Sequence, residues 1–223
     1  PSALIRVHLP KTVRDAEASR KRFSFEEMFV LQIGKQIERK RNTELPAFRV
    51  PADPGRVEQF TASLPFPLTG AQQRVIGDIL TDFEKPHPMA RLLEGDVGSG
   101  KTVVAAATAY AVVTSRPKGR ISGTLQVAYM APTEILAGQH FLSFIEFYRH
   151  LPINIALLTG SGCFKFPSKI NREKPTAISR AQLLKWVANG EIAMLIGTHA
   201  LIQKSIKFAH LAYAIVDEQH RFG

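Results

Sequence analysis

The sequence has a single cysteine, Cys163, among its 223 residues. One cysteine excludes a disulfide scaffold and any metal site made only of cysteines. The longest apolar stretch, Val103 to Val113, has 11 residues, whereas a membrane span needs about 20. The first residues lack the apolar core of a secretory signal, so nothing in them favours export. Because the sequence begins with Pro1 rather than Met, we expect it to be a piece of a longer protein.

Acidic residues are too few to balance the basic ones. The chain has 29 Lys and Arg against 19 Asp and Glu, which gives a formal net charge of +10. Solubility of a small domain needs a net charge of magnitude only about 2–8, so the surplus favours a polyanionic partner such as nucleic acid, a nucleotide or anionic lipid. Charge alone does not choose among these. Hydrophobic residues at 45% and charged residues at 22% exclude a disordered tail, a collagen-like fibre and a coiled-coil rod.

Residues 1–64 are interrupted by prolines and are predicted to form a connector. One helix is predicted within it, over about residues 24–41. Ser24 and Glu27 have the spacing of a capping box at its start, and an apolar stripe follows: Phe25, Met28, Phe29, Ile33 and Ile37. The stripe implies that this helix packs against another part of the protein. Basic clusters at its two ends are either solvated or in contact with nucleic acid: residues 20–22 and 39–41.

Residues 65–223 show alternating helical and strand patterns and are predicted to form one domain. Helices are predicted over 69–83, 101–115, 133–150 and 177–188, and strands over 89–94, 125–130, 153–158, 192–196 and 211–216. The strands are apolar without alternation, which is typical of a parallel sheet covered by helices on both faces. The predicted fold class is therefore α/β. Two basic segments, 116–120 and 160–175, resemble inserted loops.

A glycine-rich segment separates the first predicted strand of this domain from the helix at 101. It matches G-x-x-x-x-G-K-[ST] at every fixed position: Gly95, Asp96, Val97, Gly98, Ser99, Gly100, Lys101 and Thr102. Glycines let successive backbone amides point at one anion, and the helix start adds the positive end of its dipole. Lys101 is predicted to reach the β- and γ-phosphates of a nucleotide, and Thr102 to bind Mg²⁺. An ordinary strand-to-helix turn is the alternative.

An acidic pair, Asp217 and Glu218, follows the apolar strand at 211–216. At a strand tip, Asp217 would hold Mg²⁺ directly or through water, and Glu218 would accept a proton from the attacking water. A solvated carboxylate beside the metal is the alternative for Glu218. Taken with the glycine-rich segment, the pair predicts one Mg–nucleotide site in which Lys101, Asp217 and Glu218 act in catalysis.

With both motifs placed, the sequence resembles superfamily 2 helicases and translocases, and within them the RecG family of bacterial branched-DNA helicases. Four segments carry the resemblance beside the glycine-rich one: residues 68–72, 130–137, 197–203 and 217–223. The family of transcription-repair coupling factors is close, but it usually has a second Glu where Gln219 stands. The likeness covers residues 65–223 and, less strongly, the helix at 24–41. It implies a P-loop, RecA-like fold, of which this chain holds an incomplete first motor lobe.

The resemblance also implies roles for single residues. Gln72 would read the adenine edge with its amide, although Thr69 and Gln72 also have the spacing of a capping box. Residues that follow strands would bind DNA: Thr133, Glu134, Thr159, Gly160, Thr198 and His199. Two of them have structural alternatives, Thr133 as a helix N-cap and His199 as a core residue.

The partners implied by the resemblance are ATP, Mg²⁺ and forked or branched DNA. Gln219 and His220 would couple the nucleotide site to DNA or to a second lobe, with a buried structural role as the alternative for His220. The family's second RecA-like lobe with its arginine finger, and its wedge domain, are not in these 223 residues, so we expect this chain to bind nucleotide weakly and hydrolyse little. A monomeric, cytoplasmic, nucleoid-associated helicase with no membrane partner is expected. Two alternatives stay open: a translocase like the coupling factor, and a P-loop ATPase with no DNA role.

Overall fold

The computed structural model describes residues 2–117, 119, 123–168 and 174–219. Within them the helices are α1 (Ser2–His8), α2 (Val13–Glu44), α3 (Pro54–Ala62), α4 (Gly70–Phe83), α5 (Lys101–Val113), α6 (Glu134–Tyr148) and α7 (Arg180–Ala188). The strands are β1 (Gln126–Met130), β2 (Ile155–Leu158), β3 (Cys163–Phe166), β4 (Thr176–Ala177), β5 (Met194–Gly197) and β6 (Leu211–Val216), and a 3-10 helix spans His199–Ile202. The chain divides into two compact units, Pro1–Pro46 and Ala47–Gly223. Of the helices described, none has the length and apolarity needed to cross a membrane.

The first unit consists of α1 and the 32-residue helix α2. Thr12 caps α2, because its hydroxyl accepts a hydrogen bond from the backbone N–H of Asp15 at 3.2 Å. The predicted start at Ser24 is therefore wrong, since Ser24 lies inside the helix. The residues before it are mostly Ala, Glu, Arg and Lys, which are strong helix formers and extend the helix towards its N-terminus. The apolar stripe is exposed, with Phe25 at 67% and Ile37 at 49%.

The second unit is built on a six-stranded sheet in the order β4-β3-β2-β5-β1-β6. β2, β5, β1 and β6 pair in parallel, and their last residues lie in register across the sheet: Leu158, Gly197, Met130 and Val216. The predicted parallel sheet is thus confirmed in these strands. β3 pairs antiparallel with β2, and β4 pairs antiparallel with β3. β3 comes from the segment predicted as a loop, and three of its four side chains are buried. β4 ends at Ala177, where the sequence predicts the start of a helix that begins at Arg180 instead. The four parallel strands therefore present one common carboxyl edge.

Helices cover both faces of the sheet, as predicted. On one face, side chains of β1, β2 and β5 pack with α3, α4, α5 and α6, and this large core includes Val127, Ile155 and Ile196. On the other face, Leu158 and Leu195 pack with Leu183 and Val187 of α7. α5 is buried almost all round, which explains why its sequence is apolar without a polar face.

Residues 47–64 pack with the sheet unit in this structure, although the sequence predicts them as part of the connector. Val50, Val57 and Phe60 are each at most 5% exposed. The Phe60 ring stacks on Tyr110 of α5 with ring centroids 4.6 Å apart. The compact unit therefore begins at Ala47, because the helix α3 contributes to the same core as α5.

The predicted strand at residues 89–94 is wrong, since no strand is assigned to that segment. An extended segment becomes a strand only when a neighbour completes its hydrogen bonds, and within the described residues β6 pairs only with β1. Leu92 is 71% exposed. Instead, an ion pair between Arg91 and Asp82 ties this segment to α4.

Candidate functional site

The glycine-rich segment leads directly into the N-terminus of α5. Gly100 is the N-cap residue, with a left-handed φ of 81°, and no side chain caps the helix there. Gly98 has the same φ, which side chains rarely adopt. The Val103 amide donates to the carbonyl of Gly100 at 3.0 Å, whereas the amides of Lys101 and Thr102 and the positive end of the α5 dipole are available to an anion.

Side chains of two other residues pack closely over Gly95 and Gly100. A Cβ at Gly95 would lie 2.7 Å from Ser99 Oγ, and a Cβ at Gly100 would collide with Gln72 Nε2. A side chain at either position would therefore displace Ser99 or Gln72 from its present place. Val97, at the tip of the loop, is fully exposed. This cradle fits a bound phosphate chain.

Lys101 folds back over the loop. Its Nζ donates hydrogen bonds to the carbonyl oxygens of Gly95 at 2.6 Å and Asp96 at 2.9 Å. These partners place the ammonium at the mouth of the cradle. Phosphate oxygens are stronger acceptors for a charged donor than carbonyls, so an incoming nucleotide can replace them.

Gln72 braces the loop from α4. The capping box is present: the Thr69 hydroxyl accepts from the Gln72 backbone, and Gln72 Oε1 accepts from the Thr69 backbone at 2.8 Å. The Gln72 Nε2 donates to the carbonyl oxygen of Ser99 at 2.9 Å. The structural alternative for Gln72 is therefore confirmed, and adenine recognition stays a prediction.

Asp217 sits at the end of β6, on the common carboxyl edge. Its backbone N–H donates to the carbonyl of Met130 at 2.8 Å, and its Oδ2 lies 2.8 Å from His140 Nε2. The hydrogen bond from His140 is the main cause that holds the pKa of Asp217 below its ordinary value, against partial burial, and the Lys101 ammonium contributes as well. The helix that begins at Lys101 and the strand that ends beside Asp217 are in contact, since Thr108 Oγ1 lies 3.4 Å from the Tyr213 hydroxyl.

Glu218 and Gln219 are exposed beside Asp217. Glu218 has a φ of 51°, a left-handed conformation that is strained for a residue with a side chain and that clusters at functional sites. His220 lies outside the described residues, so the structure gives no position for the second coupling residue.

His140 is the functional candidate that the sequence did not reveal. It lies on α6 between the buried residues Ala137 and Phe144, at the spacing of the buried face. A polar side chain on such a face needs a partner, which was the available signal. The partner, Asp217, could not be read from the sequence because the two residues are 77 positions apart.

The residues proposed to contact DNA gather at the same edge, after β1, β2 and β5. Thr133 is the N-cap of α6 and accepts from the Leu136 N–H at 3.2 Å, so its structural alternative is confirmed. Glu134 Oε1 accepts from the backbone N–H of Gly160 at 2.7 Å, which joins two of the predicted residues.

The remaining candidates follow β2 and β5. Thr159 Oγ1 donates to the carbonyl of Gly162 at 3.1 Å and lies 3.0 Å from Ser161 Oγ. Thr198 is 5% exposed. His199 is exposed, so the alternative of a core histidine is wrong.

The donor set at the nucleotide end of the edge is of the kind that Mg²⁺ takes. Among the described residues, no group of three or more His, Cys, Asp and Glu side chains could hold a metal alone. Mg²⁺ beside phosphates typically uses one or two protein oxygens and keeps several waters. The Asp217 carboxylate and the Thr102 hydroxyl are oxygen donors, which fits such a shared site.

Comparison with known proteins supports this arrangement. The ATP-dependent DNA helicase RecG of Bacillus subtilis is 41% identical over 222 residues, which cover 99% of this chain and 30% of the relative. RecG of Aquifex aeolicus is 42% identical over 203 residues, covering 91% and 23%. A solved structure of RecG bound to a three-way DNA junction matches with a TM-score of 0.78 and 38% identity, covering 99% of this chain and 27% of that one.

The predicted resemblance to RecG helicases is thus confirmed, and the chain spans about a quarter of the length of the curated relatives it matches. The family model described as DEAD/DEAH box helicase matches residues 69–223. Because that match covers well over half of its residues, the chain belongs to the DEAD/DEAH box helicase family.

Proposed function

We propose that this chain is the ATP-binding motor lobe of an ATP-dependent DNA helicase that acts on branched DNA. The observation that carries the proposal is that the elements bearing the two motifs pack together: α5, which begins at Lys101, lies against β6, which ends beside Asp217, with Thr108 Oγ1 3.4 Å from the Tyr213 hydroxyl. An ammonium at a phosphate cradle and a carboxylate at a strand tip are the two halves of a nucleotide site. The names of the relatives, ATP-dependent DNA helicase RecG, support the same function.

Nucleotide binding is assigned to the loop and the start of α5. The amides from Gly95 to Thr102 would hold the phosphates, and Lys101 would neutralise their charge. Gln72 would read the adenine edge with the amide hydrogen and the oxygen lone pair that its bonds to Ser99 and Thr69 do not use. Thr102 and Asp217 would hold Mg²⁺, which supplies charge neutralisation to phosphoryl transfer when bound.

Hydrolysis is assigned to Glu218, which would accept a proton from water. Its left-handed backbone, with φ of 51°, turns the chain directly after the strand. Strain of this kind persists where the surrounding structure over-determines it. Gln219 and His220 would couple this site to DNA or to a second lobe.

DNA binding is assigned to the carboxyl edge of β2, β5 and β1. Amides at the N-terminus of α6 and hydroxyls after parallel strands suit phosphate contacts, which position a protein without reading sequence. The candidates are Thr133, Glu134, Thr159, Gly160, Thr198 and His199. The net charge of +10 favours such a polyanion.

The activity of the whole protein would need further parts. A second RecA-like lobe would supply an arginine finger, worth about 10³–10⁵ in rate, and a wedge domain would grip the junction. Closure of the lobes on ATP and opening after hydrolysis would move a monomer along DNA. The present chain alone would bind nucleotide and turn it over slowly.

A fluorescent ATP analogue tests the nucleotide site. We expect the 223-residue chain to bind it, Lys101→Ala to weaken binding at least tenfold, and the exposed control Lys204→Ala to leave it unchanged. Equal binding by the chain and by Lys101→Ala would contradict the site, because the ammonium would then have no phosphate partner.

Fluorescence anisotropy with a labelled DNA fork tests the second half of the proposal. Counterion release predicts that affinity falls at least about tenfold between about 50 and 200 mM salt. His199→Ala is expected to weaken DNA binding. His150→Ala is not, because His150 follows the C-terminal end of α6, whereas the proposed DNA contacts of α6 are at its N-terminal end. Nucleotide binding without DNA binding would favour a P-loop ATPase that has no DNA role.

A further inference from the structure

The contact between His140 and Asp217 joins the helix α6 to the nucleotide site. The two side chains meet at 2.8 Å and are only 14% and 23% exposed. Each is also fixed independently, since His140 lies within the 15-residue helix α6 and the backbone of Asp217 is bonded to Met130. The contact therefore fixes the direction of a carboxylate, not only the position of its backbone.

The contact with Asp217 fixes the position of one imidazole proton. The Tyr129 hydroxyl lies 3.4 Å from His140 Nδ1 and 3.5 Å from Nε2, so it does not select a ring nitrogen, and the two rings pack with centroids 4.8 Å apart. A carboxylate accepts hydrogen bonds and donates none, so the 2.8 Å contact with Asp217 requires a proton on Nε2. Nε2 then donates to Asp217 Oδ2, which occupies one carboxylate oxygen and directs the other.

We propose that His140 is a positioning residue that orients the Asp217 carboxylate for Mg²⁺, an inference that rests on the proposed nucleotide site. Carboxylates that bind metals are themselves held by hydrogen bonds, and loss of such an outer partner typically costs about 10–100-fold in metal affinity or activity. His140 binds neither the metal nor the nucleotide in this assignment. It acts only through Asp217.

The position of His140 gives the contact a second consequence. α6 begins at Glu134, whose carboxylate accepts from the Gly160 amide at the proposed DNA edge, and carries His140 less than two turns later. One rigid helix therefore touches both the proposed DNA contacts and the proposed metal ligand. A bonded path of this kind joins the two sites without passing through the glycine-rich loop.

The test compares the affinity of the 223-residue chain for a fluorescent ATP analogue in excess Mg²⁺ and in EDTA. The ratio of the two affinities measures what the protein gains from the metal. His140→Phe removes the donor and keeps an aromatic ring, so we expect the ratio to fall about tenfold while binding in EDTA changes less than twofold. His140→Gln places an amide N–H at the same number of bonds from Cβ, and we expect it to restore most of the ratio.

His150→Phe is the matched control, because it makes the same replacement at an exposed residue after α6. The assignment is overturned if His140→Phe lowers both affinities equally, which indicates a structural role, or leaves the ratio unchanged. A rise in the ratio would also overturn it, since His140 would then compete with the metal. Failure of the unmodified chain to bind nucleotide in either buffer would overturn the proposed function itself, and this assignment with it.

Discussion

Glu218 has a strained backbone conformation, which lowers the stability of the fold. Its φ of 51° is strained for a side-chain-bearing residue by about 1–3 kcal/mol. Glu218→Gly relieves that strain while adding flexibility to the unfolded chain. We therefore expect the free energy of unfolding, measured by urea denaturation, to stay unchanged or rise by up to about 1 kcal/mol.

Glu146→Gly is the control for this comparison, because Glu146 is exposed within the helix α6. There, glycine is expected to lower the free energy of unfolding by about 1 kcal/mol. If both variants lose the same stability, the left-handed backbone at Glu218 carries no strain.

Asp82 is the residue at which pH should change stability. It is 9% exposed and pairs with Arg91 and with Lys85, the latter at 2.6 Å. The hydrogen bond from Arg91 is the largest cause of its pKa being held below the ordinary value. A lowered pKa stabilises the fold above the unfolded value of about 3.9, and this contribution disappears as pH falls through the folded pKa.

Asp82→Asn is therefore expected to lower the free energy of unfolding at pH 7 by about 1–2 kcal/mol and to lose less stability than the unmodified chain on acidification below pH 4. The matched control is Asp78→Asn on the same helix, since Asp78 is 64% exposed and 3.7 Å from Arg91. Its effect should be below about 1 kcal/mol. Parallel pH profiles for Asp82→Asn and the unmodified chain would contradict this account.

Residue-level chemistry could be predicted where its parts are close in sequence. The glycine-rich loop before α5 could be predicted because eight consecutive positions carry its glycines, Lys101 and Thr102, and the Thr69–Gln72 capping box because its two residues are three positions apart. The contact of His140 with Asp217 could not be predicted, because it exists only after β1 and β6 pair. Local patterns encode loops and caps, whereas contacts between distant residues depend on tertiary packing.

The two glycines before α5, Gly98 and Gly100, share a backbone conformation but differ in what surrounds them. Gly98 and Gly100 both have φ of 81°, but a Cβ would meet nothing within 4 Å at Gly98 and would meet Gln72 Nε2 at Gly100. Alanine at either position is expected to cost about 1–2 kcal/mol in backbone strain. Only Gly100→Ala also displaces Gln72 from Ser99.

We therefore expect both variants to lose similar stability in urea denaturation. Gly100→Ala is expected to bind a fluorescent ATP analogue severalfold more weakly than Gly98→Ala does. Binding in EDTA is the appropriate readout, because it avoids the metal ligands. Equal nucleotide affinities for the two variants would show that the brace from α4 does not shape the loop.

Elements were predictable where their own sequence pattern decides them. α4 was found within a few residues because its apolar residues have helical spacing, and α5, α6 and the four parallel strands because each is a mostly apolar segment bounded by polar residues, glycine or proline. The start of α2 was misplaced because Ser24 and Glu27 imitate a cap inside a longer helix. Residues 89–94 were wrongly predicted as a strand because strand pairing depends on a neighbour. β3 was missed because it lies in a segment rich in basic residues, and β4 because it has only two residues.

For the whole molecule, the sequence and the structure place the start of the sheet-containing unit at different residues. The sequence predicts residue 65, because the alternating helical and strand patterns begin there, whereas the compact unit begins at Ala47. Prolines mark local breaks in backbone structure but say nothing about which core a helix joins. α3 lies between prolines and still buries Val57 and Phe60.

Two truncated chains distinguish these boundaries. A chain of residues 47–223 keeps all of the large core, including Phe60 stacked on Tyr110 at 4.6 Å. We expect it to unfold cooperatively, at the same temperature as this unit unfolds in the full chain. A chain of residues 65–223 loses Val50, Val57 and Phe60. Loss of one buried Phe alone costs about 3–5 kcal/mol, so we expect this chain to unfold at least 10 °C lower or to aggregate.

Phe60→Ala in residues 47–223 is the control, and it should reproduce much of the loss. If residues 65–223 match the longer chain in thermal denaturation, α3 belongs to the connector after all, and the lobe begins at residue 65.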